Sequence, residues 1–298
     1  MNKNIEVTKI IPQGFCKGVV NAIRQINDII KNDNYEKPLY MLGSLVHNKH
    51  ITDALKEKGI ITIKDYNNIS KGSIIVTAHG LSEFEKQKIK NKGLNLIDAT
   101  CREVLKIQQL VKEKILENYT VIYYGKLNHP ECNAIINIDP SIKLITSIDD
   151  INNLSINNSK IFFTNQTTMS YFDTTEIIDK LKIKYPNIEV NIDICNASKS
   201  RQLAVFNNAS KFDIVLIVGD KSSNNTNKLK EICDNFKSVQ SYLIENIEDL
   251  KNIKIQDNIK IGITAGASTP NKLVDDIINS IKDDSFISKL VNQDYINI

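Results

Sequence analysis

Apolar runs alternate almost from end to end with stretches whose hydrophobic positions recur every three or four residues. The runs are IEVTKI from Ile5, LYML from Leu39, SIIVT from Ser73, LNLID from Leu94, TVIYY from Thr120 and KLIT from Lys143. They continue with KIFFT from Lys160, IEVNID from Ile188, DIVLIV from Asp213, SYLI from Ser241 and KIGIT from Lys260. Between them, helical spacing links Val19, Ile23, Ile26 and Ile30, and again Val104, Ile107, Val111 and Ile115. This alternation predicts βαβ units and parallel sheets. Eleven strands are more than one small sheet usually holds.

An internal repeat accommodates them. Cys16, Cys101 and Cys195 each close a predicted strand and open a predicted helix, at spacings of 85 and 94 residues. In each unit a polar loop follows the next strand, at His47, His129 and Asn225. A second loop follows a later strand, in GSIIVTAHGLS from Gly72, SKIFFTNQTTMS from Ser159 and IKIGITAGAST from Ile259, with Thr77, Thr164 and Thr264 in register. Such loops lie at the carboxyl ends of strands, where open α/β sheets bind ligands. The pattern predicts an α/β protein of three similar small units with mostly parallel sheets around a pseudo-threefold axis. The units are residues 1–98, whose N-terminal strand is able to complete the third sheet, then 99–193 and 194–282, followed by a tail at 283–298. A single doubly wound sheet with look-alike loops is the alternative.

Bulk properties narrow the function. A net charge of +3 falls short of the strongly basic balance of a nucleic-acid binder, though it is compatible with a small anionic ligand. No apolar run approaches the roughly 20 residues that span a bilayer, and MNKNIEVTKIIPQGF lacks a signal-peptide core, so a cytoplasmic protein with no membrane partner is expected. Five cysteines, an odd number with no CxxC, point to reduced thiols instead of a disulfide framework.

Three cysteines from three units can supply three thiolates to one iron–sulfur cluster. Four are usual, so one iron is left for substrate. Placement at helix N-termini favours the thiolate. Cys233, next to Ile232 and one turn after Leu229, reads as core, and Cys132 is given no role. His47, His79 and His129 fall in the converging loops, where imidazole can donate to phosphate or ligate a metal. Ser223, Asn224, Asn225 and Ser268 offer hydroxyl and amide donors at helix starts, which suits a diphosphate, although SSNNTNK alone is equally an ordinary N-cap. Glu131 is the carboxylate placed to donate a proton when a hydroxyl is removed as water, with Thr167 as relay or, more simply, as a capping threonine. Two further readings are a zinc hydrolase with His47, His79 and His129 as ligands and Glu131 as base, and a non-catalytic binding module for phosphorylated metabolites.

The motifs GFCKGV at Gly14, LVHN at Leu45, TAHG at Thr77, DATC at Asp98, HPE at His129, QTT at Gln166, DIC at Asp193 with SRQ after it, and TAGAST at Thr264 resemble those of the 4-hydroxy-3-methylbut-2-enyl diphosphate reductase family, over nearly the whole chain. The resemblance implies a trefoil around one 4Fe-4S cluster held by Cys16, Cys101 and Cys195, with the substrate hydroxyl at the apical iron. It further implies that His47, His79, Ser223, Asn225 and Ser268 hold the diphosphate while His129, Glu131 and Thr167 surround the hydroxyl end. Isopentenyl and dimethylallyl diphosphate are the expected products, and reduced ferredoxin or flavodoxin the expected electron donor. The chain departs from the family pattern at Arg102, where proline is usual, at Cys132, Asn133 and Ala134 after HPE, and at Asn224, where the SSN triplet has serine.

Overall fold

The computed structural model describes residues 5–32 and 35–282, so the tail at 283–298 lies outside the described residues. Strands form three four-stranded sheets in which every pairing is parallel. The strands are β1 (Ile5–Lys9), β2 (Leu39–Leu42), β3 (Ile60–Ile63), β4 (Ser73–Val76), β5 (Asn95–Asp98), β6 (Thr120–Tyr124), β7 (Lys143–Ile145), β8 (Ile161–Asn165), β9 (Glu189–Val190), β10 (Ile214–Val218), β11 (Gln240–Ile244) and β12 (Ile259–Ala265). The helices are α1 (Lys17–Asn32), α2 (Lys49–Glu57), α3 (Glu83–Asn91), α4 (Arg102–Leu116), α5 (Pro130–Ile136), α6 (Asp150–Asn153), α7 (Tyr171–Lys184), α8 (Asn196–Asn208), α9 (Asn224–Asp234) and α10 (Asn271–Lys282).

The sheets share one strand order, β3-β2-β4-β5, β7-β6-β8-β9 and β11-β10-β12-β1. The N-terminal strand therefore occupies, beside β12, the place that β5 and β9 fill in the other two sheets. Inner strands SIIV, IFFTN and IVLIV are buried at every residue, as parallel strands covered on both faces must be. The strand the sequence pattern did not single out is β3, a four-residue edge strand, IITI, with two residues exposed.

By compactness, the described residues within 1–23, 46–58 and 196–298 form one unit, and those within 24–45 and 59–195 a second. The first contains the β11-β10-β12-β1 sheet. Its core joins Leu216, Ile244 and Ile263 to Leu273, Val274 and Ile277 of α10. The second contains the other two sheets, with cores around Ile74 and Ile89 and around Phe163, Ile177 and Leu181.

Candidate functional site

Each of the three cysteines immediately precedes a helix, α1, α4 or α8, and follows the strand in the fourth place of its sheet. Each backbone N–H donates to a carbonyl in the loop after the neighbouring strand: Cys16 to Ala267, Cys101 to Ala78 and Cys195 to Thr167, all at 3.0 Å. The accepting loops contain the same turn, in which Gly80 donates to Thr77, Met169 to Gln166 and Thr269 to Gly266. These anchors correct the register expected from the sequence. Thr164 and Thr264 correspond, but Thr77 matches Gln166 and Gly266, and His79 matches Thr168 and Ser268. The three anchoring carbonyls each stand two residues past their strand, so the loops agree in length; Thr164 and Thr264 lie within their strands and Thr77 just after its own, which no alignment of threonines reveals.

The loop leading to each cysteine is pinned. Asp98 accepts from Thr100 N at 3.0 Å and from buried Lys86 at 2.8 Å. Burial works against its charge, yet the bonds from Lys86 and Thr100 hold its pKa below the ordinary value. Asp193 accepts from Thr164 Oγ1 at 2.5 Å and from Asn191 Nδ2 at 2.8 Å, while its own N–H donates to Asn165 Oδ1 at 3.1 Å. For Cys16, the Arg201 Nη2 donates to Gly14 O at 2.6 Å. Gly14 has φ +69°, and a Cβ there would lie 1.8 Å from Asn271 Oδ1, so glycine is required. Cys16, Cys101 and Cys195 form no disulfide and are half-buried, whereas Cys132 and Cys233 are fully buried. Burial pushes the Cys132 thiol up to about 11 and the Cys233 thiol up to about 12, so these two are inert core thiols.

In the second unit the HPE loop and the QTT loop meet. His129 is the N-cap of α5, its Nδ1 accepting from Glu131 N at 3.2 Å, and its ring stands edge-on to His79 at 5.3 Å between centroids. Glu131, 2% exposed, accepts from Thr167 N at 2.7 Å and from Thr167 Oγ1 at 2.8 Å. Burial drives its carboxyl up to about 7 despite those two bonds. Thr167 is not the helix cap, which is Ser170; it carries the carbonyl that anchors Cys195 and holds the Glu131 carboxyl beside it. Two buried residues that sequence reasoning passed over hold this junction. Gln166 accepts from Lys126 N at 2.9 Å and donates to Thr168 Oγ1 at 3.0 Å, and Asn165 donates to Gln166 O at 2.9 Å. The signal available was a polar pair, Asn-Gln, ending a run that is otherwise apolar.

In the first unit Ser223 is the N-cap of α9 and its side chain accepts from Thr226 N. Asn225 follows, 4% exposed, and neither polar atom of its amide has a hydrogen-bond partner among the described residues. Ser268 Oγ donates to the His47 carbonyl at 3.0 Å, tying the TAGAST loop to the LVHN loop. Asp220 ties the same region from the other side, accepting from Lys49 N at 3.0 Å and from Ser222 N at 2.8 Å. Counted from the N-caps Asn48, His129 and Ser223, the residues taken as matched, His47, His129 and Asn225, stand one before, at and two after the cap. They share a loop and not a position, and the residue matching Glu131 is Asn225. Asn224 and Asn225, with α9 behind them, form a site of amide donors at a positive helix end that can bind an anion.

A half-buried thiol before a helix in each of three like parallel sheets, a buried carboxyl and a helix start rich in amides define a class: α/β proteins built from three similar sheets. The LytB protein family matches residues 7–282, and the chain belongs to that family. Relatives from Geobacillus sp. (strain WCH70) and Lysinibacillus sphaericus (strain C3-41), each named 4-hydroxy-3-methylbut-2-enyl diphosphate reductase, are 40% identical, covering 93% and 92% of this chain and 90% and 87% of their own. The solved E-1-hydroxy-2-methyl-but-2-enyl-4-diphosphate reductase from Plasmodium falciparum superposes with a TM-score of 0.86 at 33% identity, over 96% of this chain and 90% of that one. A second solved structure, of (E)-4-hydroxy-3-methyl-but-2-enyl diphosphate reductase, the terminal enzyme of the non-mevalonate pathway, gives 0.66 at 26% identity over 97% and 100%.

Proposed function

We propose that the chain reduces 4-hydroxy-3-methylbut-2-enyl diphosphate to isopentenyl and dimethylallyl diphosphate, the activity for which its relatives are named, with Cys16, Cys101 and Cys195 holding one 4Fe-4S cluster. What supports the cluster is the donor set: three half-buried thiols, none in a disulfide, at the same place in three sheets, distinct from the two inert core thiols. When bound, the cluster supplies electrons and an iron without a protein thiolate. The division into units at about residues 98 and 193 belongs to the same reading.

The chain's own residues handle charge and protons. Ser223, Asn224, Asn225 and Ser268, with His47 and His79, bind the diphosphate; the unpartnered amide of Asn225 is the group most in need of that ligand. Glu131, with its pKa near neutrality, carries the proton. When protonated it donates to Thr167 Oγ1, which frees the threonine hydrogen for the substrate hydroxyl, and His129 lines the same end. In balance, the alcohol takes up two electrons and two protons, the C–O bond breaks, the oxygen leaves as water and the allyl unit gains one hydrogen. That hydrogen goes to the former carbinol carbon for dimethylallyl diphosphate or to the opposite end of the unit for isopentenyl diphosphate. Reduced ferredoxin or flavodoxin is the proposed donor, in the cytoplasm.

Iron, labile sulfide and zinc analysis of protein purified without oxygen, with product analysis under a chemical reductant, tests this. Iron and sulfide with both five-carbon products support it. Stoichiometric zinc without sulfide, or no product from the iron-loaded protein, overturns it.

A further inference from the structure

The second unit also contains a cleft of about 740 Å³ whose lining includes none of Cys101, Cys195, His79, His129 or Glu131. One wall is a face of α5, since Pro130, Asn133, Ala134 and Asn137 stand three, four and seven residues apart. Glu131, Cys132 and Ile135 of the same helix are buried. Another wall is the turn through Thr77, Gly80 and Ser82 that carries His79. The cleft is therefore bounded by the two elements whose histidines meet edge-on.

Its chemistry is two-sided. Leu42, Val76, Leu81 and Ala134 give apolar surface, all of it buried or half-buried. Lys64, Lys88 and Lys92 are exposed cations on the same lining. Glu85 accepts from Tyr66 OH at 2.5 Å and is paired with Lys88 at 2.7 Å, Asp65 accepts from Asn67 N at 3.0 Å, and Lys92 donates to the neutral Asn67 carbonyl at 2.6 Å, so Lys64 and Lys92 are the cations left to meet an anion. The volume lies within the range of small-molecule sites, roughly 300–1,000 Å³. Cationic groups beside apolar walls select an anion with a hydrocarbon body.

We infer that this cleft is a second ligand site, for a prenyl diphosphate longer than the substrate, whose occupancy shifts α5 and the His79 turn and so lowers turnover. The choice of ligand rests on the proposed activity, because compounds built from five-carbon diphosphates keep the diphosphate and lengthen the hydrocarbon. The site itself rests on the cleft alone.

The chain has no tryptophan, so Asn137→Trp places a single reporter on the cleft wall of the iron-loaded protein. Titration with farnesyl diphosphate is expected to give a saturable fluorescence change, weakened roughly tenfold by Lys64→Ala with Lys92→Ala through loss of charge-assisted contacts. Inorganic pyrophosphate and farnesol, the two halves of the probe, are each expected to bind far more weakly. Calorimetry on the unsubstituted protein checks that the tryptophan has not made the site. No saturable binding, or binding unchanged by the lysine substitutions, overturns the proposal. Turnover separates the remaining parts. Inhibition by farnesyl diphosphate that the double lysine variant relieves supports regulation, and inhibition that persists in that variant places the probe in the active site and refutes it. Fluorescence binding in a protein that forms no five-carbon product would refute the reductase reading and leave the cleft standing.

Discussion

Thr167 gives both its backbone N–H and its hydroxyl to the carboxyl of Glu131, at 2.7 and 2.8 Å, in surroundings that leave the glutamate 2% exposed. The carboxyl is thereby fixed in place and still desolvated, and desolvation wins, raising its pKa from 4.5 to about 7.

With Glu131 as the proposed proton donor, kcat should fall as pH rises through about 7. Glu131→Gln keeps the shape and the bond from Thr167 N but has no proton to give. It should retain iron and lose most turnover. A kcat–pH profile of the parent, beside iron and product analysis of the variant, checks both.

The same shift has a stability consequence. Between pH 4.5 and about 7 the folded protein keeps a proton that the unfolded chain has released, so this stabilisation is complete below 4.5 and lost as pH rises through 7. A rise from 4.5 to about 7 corresponds to about 3 kcal/mol. Urea unfolding of the parent should show stability falling across that window, and Glu131→Gln should flatten the fall and be the more stable protein at pH 8.

Gln166 links the acid-bearing loop to the loop that anchors Cys195 through Lys126 N and Thr168 Oγ1. Gln166→Ala removes the acceptor of the part-buried Lys126 N–H, which costs about 1 kcal/mol. The urea midpoint should drop accordingly. If the link also spaces Glu131 correctly, kcat should fall more than KM rises.

Much of this was legible in the chain, and the rest was hidden for physical reasons. The parallel sheets followed from apolar runs such as DIVLIV, because strands buried on both faces have no choice of residue. The three cysteines followed from strand-to-helix recurrence. The β3 strand did not, although IITI is β-branched throughout, because it is only four residues long and begins three residues after α2 ends. Nor did the true loop register, which hydrogen bonds from Cys16, Cys101 and Cys195 define and residue identity does not. Asn165 and Gln166 look like loop residues in sequence and are fully buried in the fold, because their partners come from loops up to 40 positions away.

Gly266 has an ordinary backbone conformation, yet a Cβ there would fall 2.2 Å from Thr226 Oγ1 in the first turn of α9. Gly266→Ala should destabilise by about 1–3 kcal/mol and displace Asn225, weakening diphosphate binding. Thr226 Oγ1 is buried without a hydrogen-bond partner among the described residues, so its removal forfeits little. Gly266→Ala combined with Thr226→Ala should recover most of the loss, measured by urea unfolding and pyrophosphate affinity. Equal damage in the double variant would show that the clash is not the cause.

The five cysteines divide by environment, and the division predicts how each responds to removal. Cys16, Cys101 and Cys195 are half-buried at helix starts, with their backbones fixed by the neighbouring loops. Changing any one to alanine removes a proposed ligand and leaves the fold's core untouched, so iron and sulfide should fall to a small fraction of the parent while the apo-protein stays folded by circular dichroism. Cys132 packs among Ile135, Tyr123 and Phe162, and Cys233 lies in the buried face of α9. Alanine at either should cost about 1 kcal/mol of stability and leave the iron content unchanged. Chelation of the parent should reproduce the first pattern, colour and turnover being lost together, and iron retained by Cys101→Ala would remove that thiol from the ligand set.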